Sequence, residues 1–208
     1  MTTVKTNQRA FSLGTALGLL LMAGGAMAQQ CTTKIGAVLP TSVDWGRPIA
    51  ETAQFAVDQV NAVGGVAGCE IEMVLRDTQV DPKVGVDAAK ALVDLDGVQV
   101  LLGAVSSGVS MPILSSVTVP GNVMQMSCCS SSTAFTKLAE EGKTNGLFYR
   151  TFATTGVQAA VGAQVAADQG FKSIAILYKN DDWGQDLNNL IGQSFEQLGI
   201  TVTSAVAL

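Results

Sequence analysis

Two tripeptides of the same composition, Asp44-Trp45-Gly46 and Asp182-Trp183-Gly184, contain both tryptophans of the chain. An indole offers a broad apolar wall with little conformational entropy to lose, plus one N–H donor. A glycine directly after it lets the backbone turn tightly into the next element. Between the two tripeptides lie two hydroxyl-rich stretches, "AVSSGVS" at 104–110 and "SCCSSST" at 127–133. Hydroxyls and backbone N–H groups at a helix start suit a carboxylate or another polar end. Indoles and hydroxyls together describe a binding site for a small zwitterion or amide rather than a reaction centre. Any single serine is better explained by helix capping or solvation than by ligand contact. Either tryptophan could instead pack at a helix start, although Asp44, Asp181 and Asp182 beside them favour contact with a ligand.

The chain has no histidine, which closes the commonest routes to nucleophilic, general-base and zinc chemistry. "DTQVDP" offers two aspartates but lacks the glycine and the closing glutamate of a calcium loop. No dinucleotide fingerprint follows a strand and no phosphate-binding loop is present. We therefore expect no enzyme: no catalytic residue, no metal ligand and no cofactor. A net charge of −5 without any basic cluster excludes a nucleic acid held by a basic patch.

These residues must be positioned by elements, and the elements alternate. "KIGAVL" is strand-like and ends at Pro40. Ile49, Ala53, Ala56, Val57, Val60 and Val63 recur at helical spacing, with Pro48 at the start and Gly64-Gly65 at the end. "EIEMVLRD" alternates as a strand, and Asp81-Pro82 caps and opens the next helix. "VQVLLG" and "NVMQMS" read as strands around a short helix in "SSGVSMPILSSV", with Pro112 near its first turn. After "LFYRTF" come helix, strand "SIAILY", helix from Trp183 and strand "ITVTSAVAL". Strand–helix alternation predicts an α/β fold, a parallel sheet with helices on both faces. Ligands of such sheets sit outside the carboxyl ends of the strands. The loops there are the ones that carry Trp45, the two serine stretches and Trp183.

Residues 1–28 read as a signal peptide: Lys5 and Arg9, then "AFSLGTALGLLLMAGG", then the Ala26-Met27-Ala28 cleavage site. The mature chain would start at Gln29 with 10 basic and 17 acidic residues, net −7, as suits an exported, periplasmic protein. Export makes cysteines candidates for disulfides. Cys31 and Cys69 each precede a strand, so adjacent parallel strands would bring them together as a pair. Cys128 and Cys129 are either two small half-buried thiols or a vicinal disulfide.

From Lys34 onward the chain resembles the leucine/isoleucine/valine-binding proteins, periplasmic solute receptors of ABC transporters. The resemblance rests on "GRPIAETAQFAVDQVNAVGGVAGCEIEMVLRDTQVDP", "LLGAVSSGVSMPIL", "MSCCSSSTAFT", "FYRTF" and "AILYKNDDWGQDL". It implies a type I periplasmic-binding-protein fold, two α/β lobes closing on a solute, here 29–150 and 151–208 with the second lobe incomplete. It implies that Ser107 meets the solute carboxylate and that the Cys129 main chain meets its polar groups. Ser131 would add a hydroxyl where the family commonly has threonine, and Trp45 and Trp183 would be facing walls. The implied partners are a small amino acid or amide and an inner-membrane permease, with the receptor acting as a monomer. A sensory domain of a receptor is the alternative within the same fold. Two features depart from the pattern: Cys128-Cys129 replace proline and alanine, and both walls are tryptophan. Family members also run nearly twice as far.

Overall fold

The computed structural model describes Thr2 and residues 31–208, so the charged and apolar regions of the expected signal peptide and its cleavage site lie outside the described residues. The order is β1 (Thr32–Leu39), α1 (Arg47–Ala62), β2 (Glu70–Asp77), α2 (Pro82–Asp94), β3 (Val100–Gly103), α3 (Ser107–Ile113), β4 (Met124–Ser127), α4 (Ala134–Glu140) and β5 (Phe148–Arg150). Then follow α5 (Thr155–Asp168), β6 (Ser173–Tyr178), α6 (Asp182–Gln197) and β7 (Thr201–Ala207).

The first five strands form one parallel sheet in the order β2-β1-β3-β4-β5. The order reverses between β1 and β3, where Val38 pairs with Gly103. The crevice beyond the carboxyl ends of those two strands is where an open α/β sheet accepts a ligand. β1 alternates its side chains between two cores. Val38 packs with Leu92, Leu101, Val109 and Ile113 on the α2–α3 face. Ala37 and Leu39 pack with Ala50 of α1 on the other. The sheet is thus covered on both faces, as its apolar strands require.

Helix ends follow the expected signals. Asp81 adopts extended backbone and its carboxylate accepts from Val84 N at 2.8 Å, with Pro82 in the first turn of α2. α1 is closed off by Gly64 and Gly65, which follow its cap Val63 at positive φ, with Gly65 N donating to Val60 O. Cys31 and Cys69 form a disulfide with Cα atoms 4.7 Å apart, beside the Thr32–Glu70 pairing of β1 with β2.

Pro112 lies further along its helix than the expected first turn. α3 begins at Ser107, because Ser106 is extended, so Pro112 is its sixth residue and offers no N–H to the Gly108 carbonyl. The chain answers with a π-helical turn at Leu114–Thr118, where Val119 N reaches back five residues to Leu114 O. Ser115 Oγ donates to Met111 O and Ser116 Oγ to Pro112 O, supplying donors around the break.

α4 and β5 were not separately evident in the sequence. They are seven and three residues long, and they meet through Phe135 stacked on Phe148 with ring centroids 4.2 Å apart. After them, β6 and β7 form a separate two-stranded parallel sheet. Its core is Ala163 and Ala166 of α5, Phe195 of α6 and Ile200, packed against Ile174, Ile176 and Val202.

Candidate functional site

The two Asp-Trp-Gly tripeptides share one steric requirement. A Cβ on Gly46 would lie 2.0 Å from the carbonyl oxygen of Pro40, just past β1. A Cβ on Gly184 would lie 2.0 Å from the carbonyl oxygen of Lys179, just past β6. In both places the chain folds back onto the residue that follows a strand, and only glycine allows the approach. The tryptophan before each glycine is thereby held at the strand tip. The local settings differ: Trp45 precedes α1, whereas Trp183 lies in the first turn of α6. The Asp181 carboxylate caps that turn by accepting from Trp183 N at 3.1 Å and Gly184 N at 2.9 Å.

Trp45 and Trp183 line one cavity of about 280 Å³, together with Ser107 and Cys129. Four of the five expected contact residues therefore meet in one place, drawn from the tips of β1, β3, β4 and β6. Ser131, the fifth, is not in the lining. It is 1% exposed, and its carbonyl accepts from Thr155 N at 2.9 Å. Ser107 is also 1% exposed, and its hydroxyl accepts from Ser132 N at 3.2 Å.

Val80, Val105, Ser106, Lys179 and Asp181 complete the lining and had not been singled out as contacts. Lys179 and Asp181 could have been, since both follow β6 directly at its carboxyl end. Their side chains pair, Lys179 Nζ to Asp181 Oδ2 at 2.7 Å. The lining thus carries one cation and one anion already matched, and its other members are uncharged. Val80 left no periodic signal. It stands at φ +57°, a conformation that a β-branched residue rarely adopts, after Gln79 at φ +52°. Gln79 N donates to Asp77 Oδ1 and Val80 N to Thr78 Oγ1, which fixes this turn at the cavity wall.

The hydroxyl cluster lies behind the cavity. Ser127 Oγ donates to Ala104 O at 2.5 Å and accepts from Cys129 N and Ser130 N at 3.3 and 3.0 Å. Ser130 Oγ lies 2.7 Å from Ser110 Oγ and within reach of the Ala104 and Val105 carbonyls. Gln125, fully buried, donates to Gly103 O and Ser110 O and accepts from Thr118 Oγ1. These groups satisfy the irregular backbone after β3 and β4, which could not be buried unpaired.

Cys128 and Cys129 are free and half-buried. Burial, then contact with the Cys129 sulfur, pushes the Cys128 thiol up to about 12. Both line a second cavity of about 420 Å³ with Leu39, Ile49, Ala53 and Leu102, and Cys129 borders the first as well.

The comparisons with known proteins agree with this fold. Among curated proteins, the Leu/Ile/Val-binding protein BraC3 of Rhizobium johnstonii is 32% identical over 171 residues, 80% of this chain and 45% of that protein. A Desulfitobacterium hafniense ABC transporter substrate-binding protein, solved in complex with Leu, superposes with a TM-score of 0.68 at 26% identity. That match covers 85% of this chain and 51% of the other. A solute-binding protein of an R. palustris ABC transporter, solved with 4-hydroxybenzoate, shares the fold at a TM-score of 0.72 and 22% identity. It is covered over 47% of its length by 85% of this chain. The chain spans about half the length of the relatives it matches. The architecture is that of the type I periplasmic binding proteins, with partial coverage. Residues 32–208 match the family model described as "Periplasmic binding protein", and the chain belongs to that family.

Proposed function

We propose that this protein captures a small solute without net charge, an amino acid zwitterion or an amide, between the two sheets, and that it catalyses no reaction. The observation that carries this reading is the single cavity bounded by Trp45 from the first sheet and Trp183 from the second, with Lys179 and Asp181 already paired in its wall. The indoles supply apolar walls for an aliphatic body. A matched ion pair has polarity to offer both ends of a zwitterion but no surplus charge to hold a simple anion. Relatives that bind leucine and isoleucine support the same class. The two lobes are residues 29–150 and 151–208, and solute that touches both walls favours the closed arrangement. The protein acts as a periplasmic monomer that hands its solute to an ABC permease in the inner membrane.

The test is calorimetric titration with L-leucine, L-isoleucine, their amides and 4-hydroxybenzoate. We expect heat with the amino acids or amides. Trp183→Ala should weaken that binding by roughly tenfold or more, because it removes a wall of the cavity. A response to 4-hydroxybenzoate alone, or an unchanged affinity in Trp183→Ala, would sink the reading.

A further inference from the structure

We propose that the N-terminal half of α6 is a latch that holds the second sheet unit closed on the first without any solute. This goes beyond the binding proposal and can be tested with no ligand present. Two contacts carry it. The Asp186 carboxylate accepts from Thr133 N at 2.7 Å and from Thr133 Oγ1 at 2.6 Å, both on the loop between β4 and α4. It also accepts from Thr155 Oγ1 at the start of α5. One carboxylate therefore joins three helix starts, two from the second unit and one from the first. The second contact lies five residues earlier, where Asp181 seats against Gly108 of α3. A Cβ on Gly108 would come within 2.8 Å of the Asp181 Cβ and 3.1 Å of its Oδ2.

The receiving loop is itself braced. Arg150 Nη1 donates to Ser130 O and Ser132 O at 3.2 and 2.7 Å, and Arg150 Nη2 donates to Thr136 Oγ1 at 2.6 Å. Thr155 N donates to Ser131 O. Hydrogen bonds to an ionised carboxylate are roughly twice as strong as neutral ones. The two that Asp186 accepts from Thr133 are half-buried, and they exist only while α6 lies on the first unit; the one from Thr155 stays within the second unit. The closed arrangement is thus favoured before a solute arrives, and a solute then has less ordering to supply.

Glycine 108 makes the proposal decisive to test. Gly108→Ala improves the helix propensity of α3, yet its methyl group collides with Asp181 when α6 is docked. We would place Gly108→Ala and Asp186→Asn in a Trp45→Phe background, which leaves Trp183 as the sole indole. Without solute, both variants should increase acrylamide quenching of Trp183 and speed amide exchange at Thr133 by about tenfold, while amides of β1 stay protected. Unchanged quenching and exchange in both overturns the latch. Loosening in Asp186→Asn alone overturns it too, because Asp186 would then only support its own loop. If Asp186→Asn does not fold, Thr133→Val replaces it and is read by the same two measurements.

Discussion

At the scale of single residues, the chemistry visible in the sequence is divided between contact and support. Ser127 and Ser130 have no free hydroxyl to offer a solute; they hold the carbonyls and amides of the strand tips. Ser127→Ala should cost about 1–3 kcal/mol in urea denaturation, because it takes the acceptor from the Cys129 and Ser130 amides, while the Ala104 carbonyl keeps Ser110 and Ser130 as donors. A loss below a few tenths would mean that the network repairs itself. Composition reveals such a cluster but not its direction. Serines that face a ligand and serines that face backbone have the same one-letter pattern; Ser131, a contact on the family resemblance, is buried and outside the cavity lining. The Cys128 thiol, pushed up to about 12 chiefly by burial, should alkylate with iodoacetamide at pH 8 far more slowly than an open thiol. Peptide mass mapping over time checks this.

At the scale of elements, the helices and strands with long periods or explicit end signals were readable in advance. Asp81-Pro82, Gly64-Gly65 and the alternation of "EIEMVLRD" each state a local rule that the fold obeys. Asp81→Ala should lower stability by about 1 kcal/mol, within the range of 0.5–2 known for helix caps, and a chemical denaturation midpoint measures it. α4 and β5 escaped because they are too short to show a period and depend on one aromatic stack, Phe135 on Phe148. That contact spans 13 residues and is set by tertiary packing. The expected placement of Pro112 failed for a related reason: an extended Ser106 chose the helix start, and the π turn then absorbed the proline. Gly184→Ala should destabilise by about 2 kcal/mol or more, since the Lys179 carbonyl that it meets is backbone and cannot swing aside. Thermal unfolding of the variant tests this directly.

At the scale of the whole molecule, the two sheet units are joined through the Asp186 carboxylate, and acid should act on that contact first. Burial alone would raise the Asp186 carboxyl, but the hydrogen bonds from Thr133 and Thr155 outweigh it and hold the group below its ordinary value. A depressed carboxyl contributes stability above its unfolded pKa, and that contribution is lost as pH falls through the lower folded value. The melting advantage of the wild type over Asp186→Asn should therefore be full at neutral pH and vanish in strong acid. Asp182, raised by burial and by its neighbour Asp181, works in the opposite sense on absolute stability but is common to both proteins and cancels from the difference. The sequence announced the two units through the renewed alternation after "LFYRTF", but not how they meet, because that depends on pairs such as Thr133 and Asp186, 53 positions apart. The second unit also leaves Val157, Val161 and Val165 of α5 more than half exposed, as well as Leu177 of β6. The glycines that follow the two indoles have a mechanical corollary. Each pins the backbone that carries its aromatic ring to the tip of a strand, so the anchor of either plate moves only with its own sheet. On the proposed reading, a guest enters as whole slabs of the molecule pivot, each carrying the anchor of its own plate.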